Sequence, residues 1–383
     1  MIASALLAFI FLIVFGIHFL YPPLLKRIAR IQNNLSLTKK GTNTNSHYDL
    51  PMVSILIPVY NEESVIVRRI TNIFESTYPK NKLQVVVIDS GSLDNTRSEI
   101  NSNFQNMVTL ITEEERKGKA HAINLGLKIC KGEIVILTDG TALYDGDTIL
   151  EMVNSFKDTS IGAVSALYRV PNIGDSHVSS SEHKFWLQKD LIRILESRVH
   201  STSWLSGEAC AFRNKIVTKV NEDTLADDSN IALQVISKGY RSVVNEKAYF
   251  TERSPTQFSD YVKIKSRRAL GGLIETLRFK GLFFNRKYGY FGMLIFPYRF
   301  FVYLISPTLS FVLIGLTIPS SFEVIAYAGI NGAIFLGCLS IVAGFILRKM
   351  ILTFFYTQLF TAIALIWLLT GNTDVRWTRS KSR

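Results

Sequence analysis

Long apolar runs lie at both ends of the chain, and a middle region of mixed character separates them. The first run, residues 2–20, contains no Lys, Arg, Asp or Glu and is long enough to cross a bilayer. Lys26, Arg27 and Arg30 follow it, whereas a signal peptide carries positive charge before its apolar run and a small-residue cleavage site after it. The pattern predicts a retained transmembrane anchor over residues 1–25, and the positive-inside rule places the following region in the cytoplasm.

Three further apolar runs follow the middle region, at residues 291–318, 322–347 and 350–370. They predict interfacial and transmembrane helices over residues 281–371. Arg299 interrupts the first run, so part of it is expected at the membrane interface. The tail, residues 372–383, is basic, which favours the cytoplasm, whereas three spans after a cytoplasmic domain place it outside. Either one run is interfacial or re-entrant, or the charge of the tail misleads.

Residues 51–280 alternate between strand and helix patterns. Three continuous apolar segments read as strands, namely "MVSILIPVY", "LQVVVIDS" and "EIVILTD". Two segments between them have helical spacing, "EESVIVRRITNIFEST" and "HAINLGLKIC". Thr148 and Glu151 make a capping box that predicts a further helix. Apolar strands separated by helices predict a mostly parallel α/β sheet with helices on both faces, and the polar residues of 26–50 are expected to form a linker.

Composition narrows the class of partner. The chain of 383 residues is 48% hydrophobic and has a net charge of +12, from 43 Lys and Arg against 31 Asp and Glu. Such a charge suits nucleic acid, an anionic membrane or phosphorylated substrates, and the apolar ends favour the membrane over nucleic acid. Cys130, Cys210 and Cys338 have neither paired nor metal-ligand spacing, so buried thiols in a reducing compartment are expected.

Carboxylates lie where open α/β sheets bind ligands, beyond the carboxyl ends of strands. Asp89 and Asp139 each end a predicted strand, and Glu62 follows the first strand within "PVYNEE". A nucleotide or metal site is one interpretation, and a polar turn or an acid at a helix start is the other. Asp227 and Asp228 begin an amphipathic helix. One of them can cap that helix, and the other is then available as a general base.

Cations occur in two segments that suit phosphate. In "ERKGKAHAINLGL", Lys119 stands with two other basic residues at a helix start. In "YVKIKSRRALGG", Arg267 and Arg268 suit bidentate recognition of a diphosphate. Each segment has an alternative interpretation, a solvated basic loop for the first and a juxtamembrane patch on anionic lipid for the second.

The order of these segments resembles the family-2 inverting glycosyltransferases of the GT-A fold. In chain order the segments read "PVYNEE", "IDSGSLDNT", "KGKAHAINLGL", "ILTDGT", "SGEACAFR", "ADDSNIALQVISKGYRS" and "KIKSRRALGG". The resemblance covers residues 51–272. An apolar run before the domain and several after it resemble the membrane-integrated branch, which includes the hyaluronan, chitin and cellulose synthases and many lipid-directed transferases.

The resemblance implies a binding site for a nucleotide-sugar donor. Asp89 matches the acid that contacts the nucleotide base, and Pro58, Tyr60 and Glu62 are implied to line the same pocket. Lys119 matches the lysine of the family's Gly-Lys-Ala segment. The resemblance therefore places the nucleotide beyond the first two strands of the sheet.

The resemblance also implies a divalent metal, Mg²⁺ or Mn²⁺, as cofactor. Asp139 matches the first Asp of the Asp-X-Asp motif, which holds this metal on the donor diphosphate. Thr141 replaces the second Asp and offers a neutral oxygen, which suffices where water and substrate phosphates complete the shell. Asp139 and Thr141 are therefore the expected metal ligands, with weak affinity in the absence of donor.

Asp228 matches the general base of the family, which takes the proton from an acceptor hydroxyl as that oxygen attacks the anomeric carbon. Inversion by this direct displacement needs one base and no covalent intermediate. Gly207 and Glu208 fall in the segment that forms part of the acceptor site. The polymer synthases carry Gln-X-X-Arg-Trp, of which Arg268 keeps the arginine while the Gln and the Trp are absent.

These correspondences predict an enzyme, a glycosyltransferase integral to the cell membrane with its catalytic domain on the cytoplasmic face. It is expected to move a sugar from a nucleotide-sugar donor to a hydroxyl of a lipid-linked or other membrane-associated glycan acceptor. The absent Trp disfavours a processive polysaccharide synthase, and Asp228 disfavours a polyprenyl-phosphate sugar synthase, whose acceptor needs no deprotonation. Thr141 motivates the remaining alternative, a non-catalytic sugar-nucleotide-binding protein. A dinucleotide-binding reductase is excluded because the turn after the first strand has no glycine.

Overall fold

The computed structural model describes residues 2–37, 49–346 and 348–372. Its strands are β1 (Val53–Val59), β2 (Leu83–Asp89), β3 (Val108–Thr112), β4 (Ile134–Leu137), β5 (Leu143–Tyr144), β6 (Ile161–Arg169), β7 (Cys210–Arg213) and β8 (Arg241–Thr251). Within the described ranges these eight strands form a sheet in the order β3-β2-β1-β4-β7-β6-β8-β5.

Helices pack around the sheet, and further helices precede and follow the sheet domain in the chain. They are α1 (Ile2–Leu37), α2 (Ile66–Phe74), α3 (Thr96–Phe104), α4 (Lys119–Leu127), α5 (Thr148–Ser155), α6 (His177–Val199), α7 (Asp227–Ser237), α8 (Phe258–Arg278), α9 (Phe296–Phe300), α10 (Ser306–Ile346) and α11 (Arg348–Leu369). Short 3₁₀ turns lie at Lys80–Lys82, Lys280–Leu282 and Arg286–Tyr288, and π-helical turns flank α9 at Phe291–Ile295 and Phe301–Ile305.

The pairing of the strands confirms a mostly parallel α/β sheet. β1 pairs in parallel with β2 and β4, β2 with β3, and β6 with β8. β7 lies antiparallel between β4 and β6, and β5 lies antiparallel to β8. The parallel half places the carboxyl ends of β1, β2 and β4 at one edge of the sheet, where the candidate site residues follow.

Both faces of β1 are buried, which explains its continuous apolar sequence. Ile57 belongs to one core with Ile70 of α2, and Leu56 points into the opposite core with Ile123 of α4. Gly126 allows α4 to lie close to the sheet, because a Cβ at this position would stand 2.1 Å from the Leu56 Cδ1 atom. The sheet is therefore the middle layer between two helical layers, as the sequence predicted.

The capping box predicted for α5 is wrong. Thr148 is the first residue of the helix after Asp147, and within the described chain no side-chain hydrogen bond caps this end. The Thr148 hydroxyl instead donates to the Tyr249 carbonyl of β8 at 2.6 Å. A tertiary contact with β8 thus takes the hydroxyl that a local cap requires.

The segment expected as a linker is partly helical. α1 continues to Leu37, so residues 26–37 belong to it, and residues 38–48 lie outside the described residues. α1 contacts the sheet domain through α6, where the Tyr21 hydroxyl donates to Glu196 Oε1 at 2.7 Å. The N-terminal helix is therefore tied to the domain by a buried polar contact.

Apolar helices precede and follow the sheet domain along the chain, and the first of them, α1, packs against α10 and α11. Within the described residues, two segments, Ile2–Gln32 and Phe291–Tyr327, are long and apolar enough to cross a membrane, and Phe354–Leu369 is a shorter apolar helix. α10 is broken at Gly329, whose φ of 67° interrupts the helical geometry. The basic tail predicted from the sequence begins at Asn372, and its residues 373–383 lie outside the described residues.

Arg299 lies inside the protein, where its side chain is 1% exposed. Its guanidinium donates to Thr276 Oγ1 of α8 at 2.8 Å and to Ser203 Oγ at 2.9 Å. The charge that interrupts the first C-terminal apolar run therefore attaches this helical segment to the sheet domain. Cys130 and Cys210 are buried free thiols, as expected.

Candidate active site

A cavity of about 1300 Å³ lies between the sheet domain and the apolar helices. The predicted site residues that line it are Pro58, Tyr60, Glu62, Lys119, Asp139, Thr141, Gly207, Glu208, Asp228, Arg267 and Arg268. Its other wall comes from α1, α6 and α11, with Phe19, Trp186, Phe354 and Phe360 among the lining side chains. The fold thus gathers eleven of the twelve predicted positions around one space.

Asp89 is the predicted position outside the lining of this cavity. It ends β2, is fully buried, and accepts from Arg97 Nε at 2.5 Å and from the Ser92 amide at 3.2 Å. Its Oδ1 atom has no hydrogen-bond partner among the described residues, although its neighbour Ser90 lines the cavity. Asp89 therefore holds the loop after β2 and retains one oxygen for a further donor.

Lys119 connects the end of β4 to the start of α7. Gly118, at a φ of 104°, directly precedes α4. The Lys119 ammonium lies 2.8 Å from Asp139 Oδ1 and 3.0 Å from Asp227 Oδ2. Burial lowers the pKa of Lys119, but the charges of Asp139 and Asp227 outweigh it and raise that pKa well above its usual range. The group is a permanent cation beside the candidate metal ligand.

Asp228 is poised as a base. It lies in the first turn of α7, where its Oδ1 accepts from the Ser229 amide at 2.7 Å. Burial and the neighbouring charge of Asp227 raise the pKa of Asp228 to about 6. A carboxylate of this basicity is ionised at neutral pH and accepts a proton more readily than an exposed aspartate.

Gly207 and Glu208 form the wall between Lys119 and the cations of α8. A Cβ at Gly207 would lie 3.6 Å from Lys119 Nζ and 3.7 Å from Asp227 Oδ2, so the glycine keeps the backbone close to these charges. Glu208 Oε1 accepts from Arg268 Nη2 at 2.8 Å. Burial lowers the pKa of Arg268, but the charge of Glu208 outweighs it and raises that pKa.

The expected metal ligands supply a partial donor set. Asp139 Oδ1 is engaged by Lys119, and the Thr141 hydroxyl donates to Glu252 Oε1 at 2.5 Å, which leaves its lone pairs available. Within the described residues, no cluster of three or more His, Cys, Asp or Glu is arranged to hold a metal. These residues fit a Mg²⁺-type ion that takes several of its ligands from water and a diphosphate.

Two aspartates near Thr141 have other partners. Asp145 accepts from Arg169 at 2.7 Å, and Asp147 accepts from the Thr77 hydroxyl at 2.8 Å. Both therefore stabilise the approach to α5.

Sequence reasoning missed three residues of the cavity region. Trp186 and Lys189 lie on α6, which brings them to the cavity wall, and buried Glu252 holds Thr141. Lys265, at the position of the missing Gln, pairs with Glu182 of α6 at 2.7 Å. The segment "FWLQK" in α6 could have indicated these residues, because two adjacent aromatic residues about one turn before a lysine can line a ligand site together with it.

The parallel half of the sheet, with acidic and basic side chains beyond its strand ends, is typical of an α/β domain of the GT-A fold. A solved structure, mannosyltransferase PcManGT from Pyrobaculum calidifontis in complex with GDP-Man and Mn²⁺, superposes with a TM-score of 0.75. It is 24% identical, and the match covers 96% of this chain and 99% of that chain. The similarity over nearly the whole chain confirms the predicted fold.

Residues 54–220 match the family described as Glycosyl transferase family 2. The chain is 25% identical over 280 residues to probable glycosyltransferase YdaM of Bacillus subtilis (strain 168), covering 67% of the chain and 64% of that protein. It is 25% identical over 235 residues to poly-beta-1,6-N-acetyl-D-glucosamine synthase of Staphylococcus aureus (strain COL), covering 60% of the chain and 57% of that protein. The chain thus spans less than two thirds of the length of these relatives. The predicted resemblance to the family-2 glycosyltransferases is confirmed over residues 54–220, and this match supports the predicted transferase.

Proposed function

We propose that the protein is a membrane-integrated, inverting glycosyltransferase that moves a sugar from a nucleotide-sugar to a hydroxyl of a lipid-linked or other membrane-associated acceptor. The observation that carries the proposal is the shared cavity. Asp139, Lys119 and Asp228 line it on one side, and apolar residues of α1 and α11 line it on the other. A polar reaction centre that opens onto apolar helices suits an acceptor with an apolar anchor.

The donor occupies the half of the cavity beyond β1 and β4. The nucleotide lies against Pro58, Tyr60 and Glu62, with Asp89 behind them, and the guanidinium of Arg116 stacks 4.2 Å above the Tyr60 ring. The diphosphate lies among the cations Lys119, Arg267 and Arg268. The GDP-Man and Mn²⁺ bound by the mannosyltransferase from Pyrobaculum calidifontis support this choice of ligand class.

Asp228 takes the proton from the acceptor hydroxyl while that oxygen forms the new bond to the anomeric carbon. The bond from the anomeric carbon to the diphosphate breaks in the same step, and the leaving group departs with the electron pair. The ammonium of Lys119 and the guanidinium of Arg268 face the charge that develops on the diphosphate. A divalent metal held by Asp139, with Thr141 as a second oxygen, would supply Lewis-acid charge to the same group.

The apolar helices support an integral membrane location with the catalytic domain on the cytoplasmic face. Lys26, Arg27 and Arg30 follow the apolar part of α1, which is the side that the positive-inside rule assigns to the cytoplasm. Nucleotide-sugar donors are charged and do not cross a bilayer unaided, so the donor site belongs on the side where they are made.

Processive polysaccharide synthesis is the second candidate. Trp186 of α6 lines the cavity and supplies an aromatic ring although the Trp of Gln-X-X-Arg-Trp is absent. The matched synthase from Staphylococcus aureus is named for a polysaccharide product. Product length therefore has to be measured together with activity.

The test uses the purified full chain in lipid nanodiscs that contain extracted membrane lipids. Transfer from radiolabelled UDP-, GDP- and dTDP-sugars is followed with Mg²⁺, with Mn²⁺ and with chelator. The proposal expects metal-dependent transfer of one donor to an organic-soluble product. Nucleotide binding without transfer or hydrolysis of any donor contradicts it, and a high-molecular-weight product supports the polymer synthase.

A further inference from the structure

Lys189 of α6 lines the cavity, as do both charged and apolar side chains. Its ammonium lies 4.8 Å from the ring centre of Trp186 and 5.8 Å from that of Trp204. These rings attract the cation through their faces but offer it no strong hydrogen-bond acceptor. Lys189 is close enough to Asp228 for their charges to interact.

Three other cations of the cavity have carboxylate partners, and Lys189 differs from them. Lys119 holds Asp139, Lys265 holds Glu182 and Arg268 holds Glu208, each within 2.8 Å. Within the part of the chain that the structure describes, Lys189 Nζ makes neither a salt bridge nor a side-chain hydrogen bond to a carboxylate. Its three N–H donors are therefore available to a ligand.

The charges of Lys265, Arg193 and Arg268 oppose the charge on Lys189, and that of Asp228 supports it. Burial, together with the charges of Lys265 and Arg193, lowers the pKa of Lys189 to about 7. A bound anion would offset these unfavourable terms and keep the ammonium charged. The surroundings thus favour an anion at this position more than an uncharged sugar.

We propose that Lys189 binds an anionic phosphate group of the acceptor, placed between the acceptor's apolar tail and its reactive hydroxyl. The inference rests on the proposed function, since it concerns the acceptor of the same site. Ile192, one turn further along α6, and Phe19 of α1 line the same cavity as Lys189, and the charge of Asp228 reaches Lys189. The acceptor class is then a phospholipid or lipid-linked phosphate that carries a free hydroxyl.

The same chemistry could come from a free phosphate or from the donor diphosphate, and the experiment separates these sources. The full chain in phosphatidylcholine nanodiscs is titrated with decyl phosphate, with decanol, with inorganic phosphate, and with UDP and GDP. Binding is measured by calorimetry and by the fluorescence of the tryptophans beside Lys189.

Decyl phosphate is expected to bind more tightly than decanol or inorganic phosphate. Lys189→Met should weaken its binding by about ten- to hundredfold, the loss that follows when one charged hydrogen-bonding partner is removed. Lys189→Arg should retain binding and so exclude misfolding as the cause. Lys184→Met is the matched control, because Lys184 is exposed on the same helix, and its affinity should equal that of the wild type.

Unchanged binding of decyl phosphate to Lys189→Met overturns the inference, as does inorganic phosphate binding as tightly as decyl phosphate. An equal loss of UDP and GDP binding also overturns it, because Lys189 then serves the donor. Sugar transfer is not measured in this titration. If decyl phosphate binding depends on Lys189 but the protein transfers no sugar, only the proposed function is refuted. If the wild type and Lys189→Met transfer sugar at the same rate, only the inference is refuted.

Discussion

The hydroxyl of Thr141 donates a hydrogen bond to the carboxylate of Glu252 at 2.5 Å. This contact joins the loop after β4 to the residue that follows β8, and Glu252 is only 5% exposed. A carboxylate therefore stands beside the position where the Asp-X-Asp motif has its second acid. Glu252 contributes negative charge to this part of the cavity, while Thr141 contributes a neutral oxygen.

Thr141→Asp is expected to tighten Mn²⁺ binding in the absence of donor by roughly tenfold. The added carboxylate lies two positions from Asp139 and beside Glu252, so a cation relieves the repulsion between like charges. Calorimetric titration with Mn²⁺ measures the affinity. Thr141→Val, which removes the hydroxyl without adding charge, is the control, and equal affinities of Thr141→Asp and wild type would mean that Thr141 does not face the metal.

Asp228→Asn should lower the rate of sugar transfer by about 10²- to 10⁴-fold, the usual contribution of a general base. Donor binding should persist, because the amide keeps the size of the side chain and the diphosphate cations are unchanged. Transfer rate and nucleotide affinity are measured on the same preparation. Asp145→Asn is the control, since Asp145 pairs with Arg169 on the surface. Wild-type transfer by Asp228→Asn would show that another group is the base.

The rate of transfer should rise with pH through an inflection near pH 6. Asp228 must be ionised to accept a proton, and burial and the charge of Asp227 raise its pKa to about 6. The carboxyl is protonated below that pH, so the rate falls about tenfold for each pH unit. Asp227→Asn removes one cause of the shift and should move the inflection to lower pH, as seen in a pH profile of kcat/KM.

The same raised pKa has a consequence for folding stability. A carboxyl whose pKa is higher in the folded state than in the unfolded state stabilises the fold below the unfolded pKa. This contribution is lost as the pH rises through about 6. Asp228→Asn carries no charge and should therefore unfold at a higher temperature than the wild type at pH 8. A lower unfolding temperature would contradict the proposed cost of ionising Asp228.

Arg299→Met should lower the free energy of unfolding by on the order of 3 kcal/mol, because it removes several buried charged hydrogen bonds. The lost partners include Thr276 of α8 and Ser203 of the sheet domain. Thermal unfolding in nanodiscs measures the effect. Arg286→Met, at an exposed position, is the control. Equal unfolding temperatures would show that Arg299 does not hold the helical segment to the domain.

The strands of the parallel half were predictable because they are buried on both faces, which makes their sequences continuously apolar. Asp139 and Lys119 were predictable as site residues because Asp139 follows β4 and Lys119 starts α4. Their mutual contact at 2.8 Å was not, since chain order does not give the distance between side chains. Asp89 was assigned to the nucleotide pocket, and the structure adds that Arg97 already holds one of its oxygens.

The contacts that the sequence did not predict join residues that are far apart in the chain. Thr148 reaches Tyr249 rather than capping its own helix, and Thr141 reaches Glu252. Local spacing carries no information about either partner, because the fold decides which distant strand supplies it. Lys189 escaped notice for a related reason. Lys189 stands out only by comparison, because Lys119, Lys265 and Arg268 each have a carboxylate partner and Lys189 has none among the described residues.

The apolar wall of the cavity determines which acceptor concentration sets the rate of the reaction. Because α1 and α11 line the same cavity as Asp228, a tailed acceptor under the proposed function arrives by lateral diffusion within the lipid. Its effective concentration is then a mole fraction in the bilayer, independent of the volume of the surrounding solution. Bystander lipid added to a fixed amount of acceptor slows the reaction by surface dilution, while added buffer leaves the acceptor term unchanged.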